Sequence, residues 1–242
     1  MMHVYVDESI HTRGDFIVAA AVCSTEPLNE YVFAALTEHG FEPGTDEFKS
    51  SMTMAGNVAG QNLRGHLRHI LLRHCKLAIA ICPVSQRRNL GSLAFELLQM
   101  LNADPPIVGG TVYFDEGIRP VAIPPRWTAH TGCNSKLVGG LQLADCAAHI
   151  TSIQLLTEMG FIEKMVPTSE MYPEPEVEMA WQLWTSLRYS LASGTPIHGF
   201  DTDGMCEPMM LPFGLLVTDD CSDAVKRAVE NRLSTVWLGC IH

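Results

Sequence analysis

His3-Val4-Tyr5-Val6-Asp7-Glu8-Ser9 alternates and then turns polar, and Phe16-Ile17-Val18-Ala19-Ala20-Ala21-Val22-Cys23 follows as a continuous apolar run. Between them, His11-Thr12-Arg13-Gly14-Asp15 has turn chemistry, so residues 3–23 predict a hairpin of two long strands. Downstream, helical and strand patterns alternate. Pro27 to His39 has helical spacing and stops at Gly40. Asn57 to His74 is amphipathic, with Leu63, Leu67, Ile70 and Leu71 on one side. Lys76 to Cys82 is a buried strand closed by Pro83, and Asn89 to Asn102 is a helix ended by Pro105-Pro106. Gly110 to Asp115 forms another strand, residues 116–136 read as irregular, and Gly139 to Met159 is a long helix. A hairpin followed by such alternation predicts an α/β fold, one mixed sheet with helices on both faces.

Past Gly160 the pattern changes. Pro167 to Pro175 reads as a linker, Val177 to Leu191 as a Trp-rich helix and Gly194 to Pro212 as loop. Leu215 to Val217 and Asp223 to Leu233 make a last strand and helix. The expected organisation is a domain over residues 1–160 and a C-terminal α/β elaboration over 161–242 packed on it.

Four acids stand where acids are costly. Asp7 closes the first apolar run and Asp115 closes Thr111-Val112-Tyr113-Phe114. Asp145 sits within Leu141-Gln142-Leu143-Ala144-Asp145-Cys146-Ala147-Ala148, with no Lys or Arg within seven residues. Glu47 stands in Asp46-Glu47-Phe48-Lys49, which reads as another short strand. A carboxylate in apolar surroundings stays charged only beside a compensating partner, and a shared divalent cation is the cheapest partner available to this set. Hydrolysis of a phosphodiester needs an activated water and relief of charge in the transition state. Two Mg²⁺ or Mn²⁺ ions about 4 Å apart, held by a few carboxylates, meet both needs. Glu8 should point to the opposite strand face from Asp7, and Lys49 is placed to contact phosphate or to balance the acids.

These segments together resemble the domain-of-unknown-function 3800 family, whose members have a ribonuclease H-like fold. The likeness is carried by Tyr5-Val6-Asp7-Glu8-Ser9, Glu47-Phe48-Lys49-Ser50-Ser51, Val112-Tyr113-Phe114-Asp115-Glu116, and Ser135 followed by Gly140-Leu141-Gln142-Leu143-Ala144-Asp145. It covers roughly residues 3 to 155. It implies a metal centre at Asp7, Glu47, Asp115 and Asp145, with Glu8 and Lys49 adjacent. Ile10 departs from the family's usual Gly after Asp-Glu-Ser, so the first turn is expected to differ.

The net charge of −11 argues against a polyanionic partner, but its distribution reverses that argument. Residues 49 to 95 contain no acid and carry Lys49, Arg64, Arg68, Arg73, Lys76, Arg87 and Arg88. Local potential, more than the total, steers a nucleic acid, and Arg64, Arg68, Arg87 and Arg88 are the expected backbone contacts.

The expected activity is metal-dependent cleavage of RNA or DNA. The competing readings are a non-catalytic nucleic-acid-binding or protein-interaction module, and a phosphohydrolase acting on a small nucleotide. Eight cysteines without a Cys-x-x-Cys spacing, and a start without a secretory pattern, suggest reduced thiols and a cytoplasmic protein; no stretch is apolar enough for a membrane helix. His66-x-x-His69 resembles a metal pair on a helix but has no accompanying Glu, and reads as solvated or phosphate-facing; Asp201-Thr202-Asp203-Gly204 reads as a turn. Trp181 and Trp184 suit either core or a homodimer interface.

Overall fold

The computed structural model describes residues 1–100, 108–167, 176–192, 209–210, 214–233 and 235–236. Pro105-Pro106, the end of the helix expected to reach Asn102, residues 168–175 of the linker, most of the 194–212 loop and the Asp201–Gly204 turn lie outside them.

Strands β1 (Met2–His11) and β2 (Phe16–Ser24) form the expected hairpin, in register from His3 opposite Ser24 to His11 opposite Phe16. Ile10 stays in the ladder opposite Ile17, and the reversal is made by residues 12–15, with Asp15 at φ +51°. Asp tolerates that left-handed geometry better than most residues.

Helices α1 (Asn29–Glu38) and α2 (Val58–His74) follow. The first ends at Gly40, whose φ of +83° suits a residue without a Cβ. The second is capped by Asn57, whose side-chain oxygen accepts from the Gly60 N–H. Next come β3 (Lys76–Cys82), a 3₁₀ turn (Val84–Asn89), α3 (Leu90–Met100), β4 (Gly110–Asp115), β5 (Trp127–Cys133) and α4 (Gly139–Glu158). The remainder comprises β6 (Met165–Pro167), β7 (Glu176–Glu178), α5 (Met179–Leu187), β8 (Met209–Met210), β9 (Leu215–Val217), α6 (Asp223–Leu233) and β10 (Thr235–Val236).

Six strands form one mixed sheet in the order β5-β4-β1-β2-β3-β9. The β1, β2 and β3 strands are mutually antiparallel, whereas β4 runs parallel to β1 and β5 parallel to β4. This is the mixed α/β sheet flanked by helices expected from the sequence, extended at one edge by β9 running parallel to β3. Strand β2 is buried along its whole length, which explains its unbroken apolar run.

Alternation divides the sheet's side chains between two cores. Tyr5, Phe16, Val18, Ala20, Val22, Ile79 and Ile81 pack against α1, α2, α4, α5 and α6. Val4, Val6, Ile17, Ala19, Ala21, Val112 and Phe114 face α3. Helix α4 is buried on nearly every side, as a helix apolar all round must be. It rests directly on β1, because a Cβ at Gly140 would overlap the Tyr5 ring.

Two sequence expectations are corrected. Residues 116–136 are not wholly irregular, since β5 lies within them. As an edge strand exposed at most positions, it lacks the apolar alternation that marks a strand. The Glu47-Phe48-Lys49 segment is not a strand. The Phe48 N–H donates to the Gln142 side-chain oxygen (2.7 Å) on α4, so this part of the α1–α2 connection is held by a helix side chain.

Beyond residue 160, Leu183, Trp184, Leu187, Val225, Val229 and Leu233 join the α4 side of the core. Trp184 is therefore a core residue, and Trp181 is exposed. Arg232 on α6 donates to Glu158 at the end of α4 (2.6 Å) and to both Glu178 oxygens (2.8 and 3.1 Å). Among the described residues no helix is long and apolar enough to cross a membrane. The six described cysteines are free and five are buried.

Candidate metal centre

The strand register brings the first two acids together. Val6 lies beside Phe114 in the parallel β1–β4 pair, so Asp7 and Asp115 are neighbours at the carboxyl ends of adjacent strands. Both fall on the odd-numbered face that carries Tyr5 and Tyr113, which is the face covered by α4. Helix α4 delivers Asp145 to them. Asp7 is 7 % exposed and Asp145 9 %.

Burial first, and then the Asp115 and Asp145 charges, push the Asp7 carboxyl up to about 9, although its Oδ1 accepts the Glu8 N–H at 2.7 Å. Asp145 is also raised, chiefly by burial. Opposing this are two hydrogen bonds from Ser50: the N–H donates to Oδ2 (2.7 Å) and the hydroxyl to Oδ1 (2.6 Å). Asp115 is raised by burial against the pull of Lys49. Carboxyls that raise one another in this way form an electrostatic unit, and such a unit in a cleft is a candidate functional site.

The α1–α2 connection brings the fourth acid. Glu47 accepts a hydrogen bond from the Ser135 hydroxyl and lies 3.4 Å from Lys49 Nζ. Burial works against the Lys49 charge, but the surrounding carboxylates of Glu47, Asp115 and Asp145 outweigh it, and its pKa rises. Gln142, one turn before Asp145 and fully buried, ties these pieces together. Its oxygen accepts from Phe48, and its Nε2 donates to the Ser135 carbonyl at 2.9 Å. Glu47, Lys49, Asp115, Glu116, Asn134, Ser135 and Lys136 line a cleft of about 180 Å³ above the more buried Asp7 and Asp145. Asp7, Asp115 and Asp145 act on one another and Glu47 acts on Asp145, yet no three of the four bring one oxygen each within 4.8 Å.

The remaining expected residues fall elsewhere. Glu8 lies on the α3 side of the sheet, with Oε1 3.4 Å from the exposed Arg87, and Gly117 packs against that pair. Its Oε2 is buried without a partner, and burial raises its pKa despite Arg87. Arg64 and Arg68 are half-buried on α2 and turned toward α4 and α5. They act on Cys146, Arg64 also acts on His149, and Arg68 donates to the Gln182 carbonyl at 2.9 Å. Arg87 and Arg88 are exposed on the 3₁₀ turn at the other face. The structure thus divides the four arginines between two sides of the sheet rather than gathering them around the acids.

Sequence reading gave no role to Ser50, Ser135 or Gln142, nor to Asn134 and Lys136 at the rim. Gln142 carries a usable signal, because a buried amide in an apolar helix must find partners.

No protein-family model and no curated protein matches the chain. Among solved structures, the PCNA:RNase HII complex from Archaeoglobus fulgidus aligns at a TM-score of 0.38 and 12 % identity, over 84 % of this chain and 99 % of that one.

Proposed function

We propose that this chain is a divalent-metal-dependent phosphodiesterase acting on nucleic acid, of the domain-of-unknown-function 3800 kind. The observation that supports this reading is the buried pairing of Asp7 with Asp115 at adjacent strand ends, faced by Asp145. The donor set fits a hard cation, since it offers only oxygens, with Asp7, Asp115 and Asp145 raised by burial and by one another's charge and with Lys49 beside them. Asp7, Asp115, Asp145 and Glu47 would hold Mg²⁺ or Mn²⁺, which there supplies an activated water and charge relief for an in-line displacement.

The other residues orient this set. Ser50 fixes both oxygens of Asp145, while Ser135 and Lys49 fix Glu47. Lys49, Lys136 and Asn134 stand at the cleft rim, where they can receive a substrate phosphate. Arg87 and Arg88 are exposed and available to a longer strand, whereas Arg64 and Arg68 are half-buried on α2 and less open to it.

The test is a cleavage panel with Mn²⁺ on single- and double-stranded RNA and DNA, with free nucleotides as a further arm and Asp145→Asn as control. Cleavage of a polymer that Asp145→Asn abolishes supports the proposal. Turnover of nucleotides alone favours the small-phosphate reading, and salt-dependent binding without turnover favours the non-catalytic one. Either result would replace the proposal.

A further inference from the structure

A second group of potential metal ligands lies outside the carboxylate cleft. His39 caps the C-terminal end of α1, directly after Glu38, and His66 lies two turns into α2. His66 Nδ1 stands 3.3 Å from His39 Nε2 and 3.4 Å from Glu38 Oε2, and one ligand atom from each of the three residues lies within 4.8 Å of the others. Ligand atoms held about 2.05 Å from one ion at tetrahedral angles stand about 3.3 Å apart. The two closest separations already have that value. The imidazole planes meet at 80°, edge to face, with ring centroids 5.5 Å apart. His69, three residues on from His66, is exposed and takes no part.

We propose that Glu38, His39 and His66 form a binding site for Zn²⁺. Two imidazoles and one carboxylate make a borderline nitrogen-and-oxygen donor set, which selects a zinc-type ion over Mg²⁺. Three protein ligands leave a fourth position for water. The site would therefore differ in metal class from the all-oxygen cleft.

Its position gives it a consequence. Residues 39–57 connect α1 to α2 and carry Glu47, Lys49 and Ser50, the groups that reach Asp115 and Asp145. An ion joining His39 to His66 closes this segment as a staple and reduces the freedom of the open chain. Zn²⁺ thus fastens the base of the loop that completes the cleft. The site stands on its own geometry and does not depend on what the cleft does.

The test uses the full chain stripped of metal. Co²⁺ should give the visible absorption of one four-coordinate ion with nitrogen ligands and no thiolate charge-transfer band, distinct from the weak spectrum of any Co²⁺ held octahedrally by the carboxylate cleft, and Zn²⁺ should displace it. His39→Ala and His66→Ala should each abolish that spectrum, with unchanged circular dichroism showing that the fold is intact. Asp7→Asn should keep it. Limited proteolysis within residues 40–57 should slow on adding Zn²⁺ to the unaltered chain and stay unchanged in His66→Ala. Absence of binding, a spectrum that survives His66→Ala, or a thiolate band assigning the ion to cysteine would each overturn the proposal.

Discussion

Asp7→Asn separates what the carboxyl does for chemistry from what it costs the fold. The substitution keeps an oxygen that can accept the Glu8 N–H and removes only the capacity for charge. In the unfolded chain Asp7 titrates near 3.8, whereas in the metal-free folded state it is pushed up to about 9. The folded protein therefore binds more protons than the unfolded chain across that window, and its stability falls as pH rises through it. The asparagine protein has no such loss. At about 1.4 kcal/mol per pH unit, the gap in its favour would open by about 4 kcal/mol between pH 5 and pH 8. Relaxation and water entry around the cleft absorb part of this, so we expect about 2–4 kcal/mol. Urea denaturation in chelator, at pH 5, 6.5 and 8, measures the gap directly. His11 and His149, both lowered to about 4 by burial, add the opposite slope below pH 6.5, but they do so in both proteins and cancel in the difference. A gap that stays constant with pH, or an asparagine protein that is the less stable at pH 8, would refute the reasoning.

Mn²⁺ should raise the melting temperature of the native chain and leave Asp7→Asn unmoved, which differential scanning calorimetry would detect. Ser50→Ala removes one of the two bonds to Asp145 and should lower Mn²⁺-dependent cleavage about 10–100-fold without abolishing it, as the loss of a group orienting a metal ligand does. Gln142→Leu leaves the Phe48 N–H and the Ser135 carbonyl without partners, and should cost about 2–4 kcal/mol in urea melts and reduce cleavage with it. Gly140→Ala drives a methyl into the Tyr5 ring and should destabilise the protein by about 1–3 kcal/mol, whereas Gly65→Ala, in open space on α2, should stabilise it slightly.

The scaffold was legible in the sequence wherever burial imposed a period. The β1–β2 hairpin, α2 and the wholly apolar α4 follow directly from patterns of two and of three to four. The convergence of Asp7, Asp115 and Asp145 was also legible, because each acid interrupts an apolar run that has no other reason to admit it. Strand β5 was not, since an exposed edge leaves no apolar alternation to read. Glu47 was placed in the right neighbourhood on the wrong element, because its segment is held by Gln142, 95 positions after it in the chain. The arginines misled for a related reason. A helix with Arg64 and Arg68 on one face looks basic in sequence, and only the packing of α2 against α4 and α5 shows that face to be half-covered.

The parallel pairing of β1 with β4 fixes when the cleft can come into being. Asp7 precedes Asp115 and Asp145 by more than a hundred residues, and it has neither as a neighbour until both have docked. Contacts so remote in the chain form late and slowly. A partly folded copy therefore carries the acids without the centre, and whatever reactivity the assembled cleft possesses is withheld until strand and helix have closed around it.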